Sequence, residues 1–278
     1  HLVFIEEPET HLHAQLQQVF IHKVLDILSI KEEDATQYRS QLVVTTHSPH
    51  ILYERGFRPI RYFRRYSSST GQSSEVLNLS AFYADTENPT RDFLERYLKL
   101  THCDLFFADA AVLVEGNVER LLIPQMVEKT APRLKSSYLS IIEIGGAFGY
   151  RFRSLIEFLG ITALIVTDID SVIGASAPAA ENDNEAADEI DDQSTEGSAC
   201  PVLEPGAVTS NQTLIQWLPG KTMISDLLET TAEKRTQLRT EKVSSLVRIT
   251  YQTKVDVTWQ GVTEAIVGRT LEEAFALE

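Results

Sequence analysis

The chain has 278 residues, 43% of them hydrophobic, enough for one large domain or two modest ones with a real core. Its net charge of −15 argues against a broad basic surface for nucleic acid, and no apolar run approaches the roughly 18 residues of a membrane span. Two cysteines, Cys103 and Cys200, make neither a disulfide framework nor a zinc spacing, which fits a reducing cytoplasm.

In chain order, residues 2–6 read first as a strand. The start, His1 to Glu7, has no basic region and no small-residue cleavage site, so it does not read as a signal peptide; it looks like a strand cut from a longer protein. Residues 11–28 read as a helix, with Leu12, Leu16, Val19, Phe20, Val24, Ile27 and Leu28 at helical spacing. A polar connection at 31–40 leads to a strand at 41–45, which ends in Thr46, His47, Ser48 and Pro49. Residues 60–79 read as a hairpin around a Ser- and Gly-rich turn at 67–74. Arg55, Arg58, Arg61, Arg64 and Arg65 interleave there with Phe57, Tyr62, Phe63 and Tyr66, either as a contact for backbone phosphate or as a solvated hairpin face. A helix with Phe93, Leu94, Tyr97 and Leu98 closes this segment, and a domain boundary is expected between 105 and 106.

The second segment, 106–278, alternates strand and helix at 111–115, 117–130, 138–144, 150–159 and 161–167. That βαβαβ pattern predicts an α/β fold with a Rossmann-like parallel sheet. A stretch at about 172–205 is rich in Ala, Glu, Asp, Ser and Pro and is expected to be disordered. Eight acids and no Lys or Arg at 176–200 put −8 of the charge there. Order is expected to resume near Val208, with a strand at 246–251 and a final helix from about 260.

Two carboxylate clusters follow apolar runs in this segment. The run at 112–114 drops into Glu115, Gly116, Asn117, Val118 and Glu119; the run at 164–166 drops into Thr167, Asp168, Ile169 and Asp170. The C-terminal end of a buried parallel strand is where α/β folds place ligands. Carboxylates converging there repel one another, and oxygen-only ligands favour Mg²⁺ or Mn²⁺ as the remedy. Glu119 sits in the first turn of a helix, above Glu115; the plainer reading is that it caps that helix. Asp168 and Asp170 share one side of an extended segment, and Ser171 adds a hydroxyl as a further candidate ligand. Gly145, Gly146, Ala147, Phe148 and Gly149 form a loop that reads first as a tight turn and second as a phosphate cradle.

Two sets of motifs resemble a known family. Leu2-Val3-Phe4-Ile5-Glu6-Glu7-Pro8-Glu9-Thr10-His11-Leu12-His13 has the Walker B pattern, and Val43-Val44-Thr45-Thr46-His47-Ser48-Pro49 resembles the switch-histidine strand of ABC-type ATPases. Together they resemble the ATPase of the overcoming lysogenization defect (OLD) nucleases. The resemblance implies that Glu6 holds Mg²⁺, Glu7 is the hydrolytic base and His47 senses the γ-phosphate. A P-loop needs Gly-x-x-x-x-Gly-Lys-Ser/Thr. The only Gly-Lys-Thr, at 220–222, has Ile215 where the leading glycine belongs, and no ABC signature occurs. The chain by itself is therefore not expected to hydrolyse ATP, which enters only as a cofactor of a full-length parent.

Leu113-Val114-Glu115-Gly116 with Glu119, then Thr167-Asp168-Ile169-Asp170, resembles a Toprim domain, the metal-binding fold shared by topoisomerases, bacterial primases and OLD nucleases. Gly268-Arg269-Thr270-Leu271-Glu272-Glu273-Ala274-Phe275 resembles the distal acidic helix of those nucleases, with Glu272 the preferred metal ligand and Glu273 the reserve. The bland alternative is an amphipathic helix with Val262, Ile266, Leu271 and Phe275 inward. The family has a catalytic Lys beyond this helix, and no Lys follows Lys254 here. Asn211-Gln212-Thr213-Leu214 and the acidic helix look more like the stand-alone, helicase-associated class.

The resemblance implies the tail of an ABC-type ATPase domain followed by a Toprim nuclease domain. It implies a DNA endonuclease or nickase that uses two Mg²⁺ or Mn²⁺ ions, with Glu115, Asp168 and Asp170 as catalytic carboxylates. A helicase encoded alongside and a homodimeric full-length parent are further implied partners, with phage defence the context. The rivals are a non-catalytic, ATPase-linked DNA clamp and another Toprim enzyme. A topoisomerase needs a nucleophilic Tyr domain and a primase a zinc ribbon, and neither is visible.

Overall fold

Two apolar runs end up differently here: residues 111–114 are buried on both faces, whereas residues 2–5 are covered on one face only. The structure is a computed structural model that describes residues 2–28, 41–55, 59–68, 71–82, 93–94, 97, 103–145, 148–174, 197–240 and 243–277. It divides into two compact units, His1–Phe107 and Ala108–Glu278.

In the first unit, β1 (Leu2–Glu6) pairs in parallel with β2 (Gln41–Thr45), with Glu6 opposite Thr45. One face of the pair is exposed, Phe4 to 70%. A 3-10 turn, Pro8–His11, precedes α1 (Ala14–Leu28), so the helix starts later than its apolar spacing suggests. Ile21 of α1 and Ile51 and Leu52 of α2 (Pro49–Arg55) are buried. The hairpin is β3 (Arg61–Ser68) with β4 (Gly71–Asn78), followed by the short α3 (Leu79–Phe82). Arg64 lies 3.0 Å from Glu75 across that hairpin with its side chain only 13% exposed, which favours a structural role over phosphate contact. Arg58, Phe57 and Leu98 lie outside the described residues.

In the second unit, a five-stranded sheet runs in the order β11 (Thr236–Gln237), β12 (Leu246–Thr250), β7 (Thr162–Val166), β5 (Ala110–Val114), β6 (Leu139–Glu143). All pairings are parallel except that of β11 with β12. The expected α/β class with a parallel sheet is what is observed. Leu113, Val114, Ile142, Ile165, Val247 and Ile249 are completely buried, because helices cover the sheet: α4 (Asn117–Thr130) between β5 and β6, and α5 (Arg153–Leu159) between β6 and β7. The chain passes from β5 to β6 on one side, then crosses to β7 on the other. The strand order therefore reverses between β5 and β7, the switch point at which open α/β sheets leave a crevice.

Three expectations need correction. The stretch at 172–205 is ordered at both flanks, where β8 (Ser171–Ile173) pairs with β9 (Ser198–Ala199) and β10 (Val208–Thr209). The remainder, 175–196, lies outside the described residues. Two short helices, α6 (Gln212–Gln216) and α7 (Ile224–Leu228), follow β10, and the final helix does not begin near 260: β13 (Val255–Trp259) and β14 (Val262–Ile266) form a hairpin, and α8 covers only Leu271–Leu277. The turn residues Gln260 and Gly261 have φ of 49° and 81°, the paired positive angles of a two-residue hairpin loop. The proposed inward face dissolves with it, since Val262 is 60% and Phe275 65% exposed.

Candidate metal centre

Strand register assembles the site. Val114, Glu143, Val166 and Thr250 end their strands as mutual partners, Val114 with Glu143 and Val166, and Val166 with Thr250. The residues just beyond that row therefore emerge together: Glu115 after β5, Thr167 and Asp168 after β7, Gln252 after β12.

Glu115 Oε1 accepts three hydrogen bonds, from the Thr167 hydroxyl, from the Asp168 amide at 3.0 Å and from Asn211 Nδ2 at 3.0 Å. Asn211 comes from the N-cap of α6 (Gln212–Gln216), where its Oδ1 accepts from the Thr213 amide at 3.0 Å. The same Nδ2 reaches Thr167 Oγ1 at 2.7 Å and the Asp168 carbonyl at 2.9 Å, and the residue is completely buried. Asp168 Oδ1 accepts from Gln252 Nε2 at 2.6 Å and from the Leu271 amide at 3.0 Å. Gln252 Oε1 accepts in turn from the Ile169 amide at 2.9 Å.

Burial pushes the Glu115 carboxyl up, against the hydrogen bonds that lower it. Asp168 is pushed up to about 7, first by burial and then by the charge of Glu115, with Asp170 and Glu119 adding to it. Burial also raises Asp170, while Arg269, 3.7 Å away, lowers it. The acids are thus close enough to disfavour one another's charge, which a cation would relieve.

The other predicted residues fare unequally. Glu119 is 5% exposed and its Oε2 accepts from the Gly116 amide at 3.1 Å, so it does cap α4, while its charge is also felt at Asp168. Asp170 does not continue an extended segment alongside Asp168: its φ is +44°, and that bend carries it to Arg269. Ser171 is completely buried in β8, where its hydroxyl donates to the carbonyl of Cys200, just past β9, at 2.5 Å, and takes no part in the hydrogen bonds of the carboxylate group. Glu273 accepts from the Arg269 amide at 2.7 Å at the start of α8. Glu272 is exposed, next to the Leu271 whose amide meets Asp168.

Sequence reasoning missed Thr167, Gln252 and Arg269 as parts of the site, and used Asn211 only to place a subclass. The one available signal for Arg269 and Leu271 was the Gly-Arg-Thr-Leu stretch ahead of the acidic helix. Gly268 there has no room for a side chain, since a Cβ would stand 2.4 Å from the Ala274 nitrogen.

Do these residues fit a divalent cation? Among the described residues no group of three His, Cys, Asp or Glu side chains stands ready to hold an ion. What is present is an adjacent, oxygen-only pair, Glu115 and Asp168, with Asp170 nearby. Mg²⁺ is commonly held by one or two carboxylates with water filling the remainder, so the donor chemistry fits.

In the first unit the analogous strand ends also meet. Glu7, at φ +40°, donates its amide to the Thr45 carbonyl at 2.9 Å, and its Oε1 lies 3.4 Å from His47 Nε2. The His47 amide donates to Glu9 Oε1 at 2.6 Å. Buried Ser48 donates to Gln17 Oε1 at 2.5 Å, tying this loop to α1. Glu6 ends β1.

The carboxylate pair in one unit resembles a Toprim site, and the acidic strand end in the other resembles a Walker B strand. Residues 106–170 match the family model described as overcoming lysogenization defect protein-like, TOPRIM domain, and residues 1–52 match an AAA ATPase domain. Those two stretches are thus similar to an OLD-like Toprim domain and to part of an AAA-type ATPase domain.

Among individual proteins it is similar to endonuclease GajA of Bacillus cereus strain HuB5-5, 34% identical over 183 residues, covering 61% of this chain and 26% of that protein. GajA of Bacillus cereus strain VD045 is 26% identical over 170 residues, again 61% of this chain and 26% of the relative. The OLD nuclease of Thermus scotoductus strain ATCC 700910 / SA-01 is 23% identical over 175 residues, 60% of this chain and 30% of the relative. The chain spans 26% to 30% of the length of these curated relatives. No helix among the described residues is long and apolar enough to cross a membrane.

Proposed function

We propose that this chain contributes the nuclease site of a divalent-metal-dependent DNA endonuclease. The observation that carries the reading is the half-buried Glu115–Asp168 pair at the sheet's switch point, oriented by Thr167, Asn211 and Gln252. The nuclease names of its relatives supply the reaction class. Glu115 and Asp168 would hold Mg²⁺ or Mn²⁺, with Asp170, Glu119 and Glu272 as candidates for a second ion. Bound there, the cations supply Lewis acidity and charge neutralisation for phosphodiester hydrolysis.

The chain's own residues keep the two carboxylates from swinging, and burial together with the neighbouring Glu115 charge raises the Asp168 carboxyl to about 7, which disfavours its charge in the absence of a cation. Arg269 offsets the charge of Asp170. Glu6, Glu7 and His47 are proposed to serve ATP hydrolysis in the longer parent, a reading supported by the Glu7–His47 approach. A helicase encoded alongside and dimerisation of the parent belong to the same proposal and rest on the resemblance alone.

A non-catalytic DNA clamp is the second reading, and the lack of a ready three-acid cage among the described residues favours it. The test is supercoiled plasmid incubated with the chain in EDTA, Mg²⁺, Mn²⁺ or Ca²⁺, with Asp168→Ala alongside. Nicked and linear product in Mg²⁺ or Mn²⁺, absent in EDTA and with the variant, is the expected result. Unchanged cleavage by Asp168→Ala sinks the site assignment; metal-dependent DNA binding without product favours the clamp.

A further inference from the structure

We infer that Asn211 and Gln252 set the cation preference of this site, leaving Glu115 and Asp168 one open oxygen each and so favouring Mg²⁺ or Mn²⁺ over Ca²⁺. The inference rests on the metal-site part of the reading above and adds two positioning residues to it.

Glu115 Oε1 already accepts from Thr167, Asp168 and Asn211, and Asp168 Oδ1 from Gln252 and Leu271. An oxygen accepting two or three bonds has little lone-pair capacity left. No hydrogen bond from a described residue reaches Glu115 Oε2 or Asp168 Oδ2. Each carboxylate therefore offers a cation one oxygen only.

The arrangement is also stiff. Each amide is held at both ends, Asn211 by the Thr213 amide on its oxygen and Gln252 by the Ile169 amide on its oxygen, so neither flips without losing two bonds. Asn211 is completely buried and Gln252 is 7% exposed, which removes water as a substitute partner. Ca²⁺ takes six to eight oxygens and often grips a carboxylate through both; Mg²⁺ needs fewer protein oxygens and keeps its waters. A site whose carboxylates cannot turn to present both oxygens discriminates against the larger ion.

The experiment is calorimetric titration of the full metal-free chain with MnCl₂, MgCl₂ and CaCl₂, with thermal unfolding in EDTA as the folding control. Two variants are compared with the parent. Gln252→Met removes the donor at similar size, and Asn211→Ser removes the donor to Glu115 while keeping a good helix N-cap. The parent is expected to prefer Mn²⁺ to Ca²⁺ by at least about tenfold, and each variant to lose roughly 10- to 100-fold in Mn²⁺ affinity. Ca²⁺ affinity should change little, so the preference collapses. A merely structural role weakens all cations alike; a folded variant with the parent's Mn²⁺/Ca²⁺ ratio overturns the inference. So does a parent that prefers Ca²⁺. A parent that binds no divalent cation removes the metal-site reading as well, whereas binding with the expected selectivity but no plasmid cleavage supports the inference and removes only the nuclease.

Discussion

The two strand ends that carry acids in this chain follow one grammar and have different physics. In the first unit Glu7 and His47 face each other with side chains 43% and 78% exposed, so water remains their main partner. In the second, Glu115 and Asp168 are withdrawn among amides and the hydroxyl of Thr167, and burial is the leading cause of their raised carboxyl pKa values. An apolar run followed by acids is thus a place and not yet a mechanism. What separates the two is whether distant segments arrive to cover the acids and fix one oxygen of each. The first pair stays responsive to whatever docks on it; the second is set before any ligand comes.

The sharpest way to break this contrast is cleavage itself. Asp168→Ala should lower metal-dependent plasmid cleavage more than about a hundredfold, beyond what losing a residue that only orients a ligand costs. Glu7→Gln in the same assay without nucleotide should leave the rate unchanged. Equal losses from both would mean that the two strand ends form one functional unit.

Acidity tests the same difference. The Asp168 carboxyl is raised from the ordinary 3.8 to about 7, so the folded chain holds that proton more tightly than the unfolded one. Its stabilising contribution is complete below about pH 4 and lost as pH rises through about 7. In EDTA, this group should lower the melting temperature between pH 5 and pH 8, and Mn²⁺ should restore more at pH 8, where it displaces no proton. Asp168→Asn should flatten the trend; a slope unchanged in that variant would assign it to other groups.

Packing gives a smaller effect. A Cβ on Gly149 would stand 2.9 Å from Thr213 Oγ1, in the helix that Asn211 caps. Gly149→Ala should destabilise the chain by about 1–3 kcal/mol in urea unfolding. Glu119→Ala should cost about 1 kcal/mol, the size of a lost helix cap. A cost well above that would mean that Glu119 does more than cap α4.

The sequence displays this fold where apolar residues run together. The strands at 110–114 and 162–166 and the acids after them are legible because a buried parallel strand has no other way to look. The hairpin of β13 and β14 was hidden because Val262 and Ile266, four apart, mimic a helical stripe, while the Gln260-Gly261 turn lacks the Asn or Asp that usually marks one. Ser171 was misassigned because adjacency to Asp170 says nothing of where the chain bends. Asn211 and Gln252 were the least legible of all: a polar side chain carries no period, and these reach the Asp168 segment from 43 and 84 positions away. Long-range register, and not local spelling, supplies the donors.

One excursion has a practical consequence. The chain leaves Asp168 Oδ1 at Gln252, runs out through β13 to Trp259, which is 75% exposed, turns at Gln260 and Gly261, and returns to the same oxygen at Leu271. Both ends of residues 253–270 are therefore pinned at one point whatever lies between them. Loop-closure entropy grows slowly with length, about 0.6 kcal/mol per doubling. The hairpin of that segment, residues 255–266, is a natural graft position: hairpins of other lengths, or one bearing a spectroscopic label at its tip, can be spliced in while Gly268, Arg269 and the two anchors stay in place.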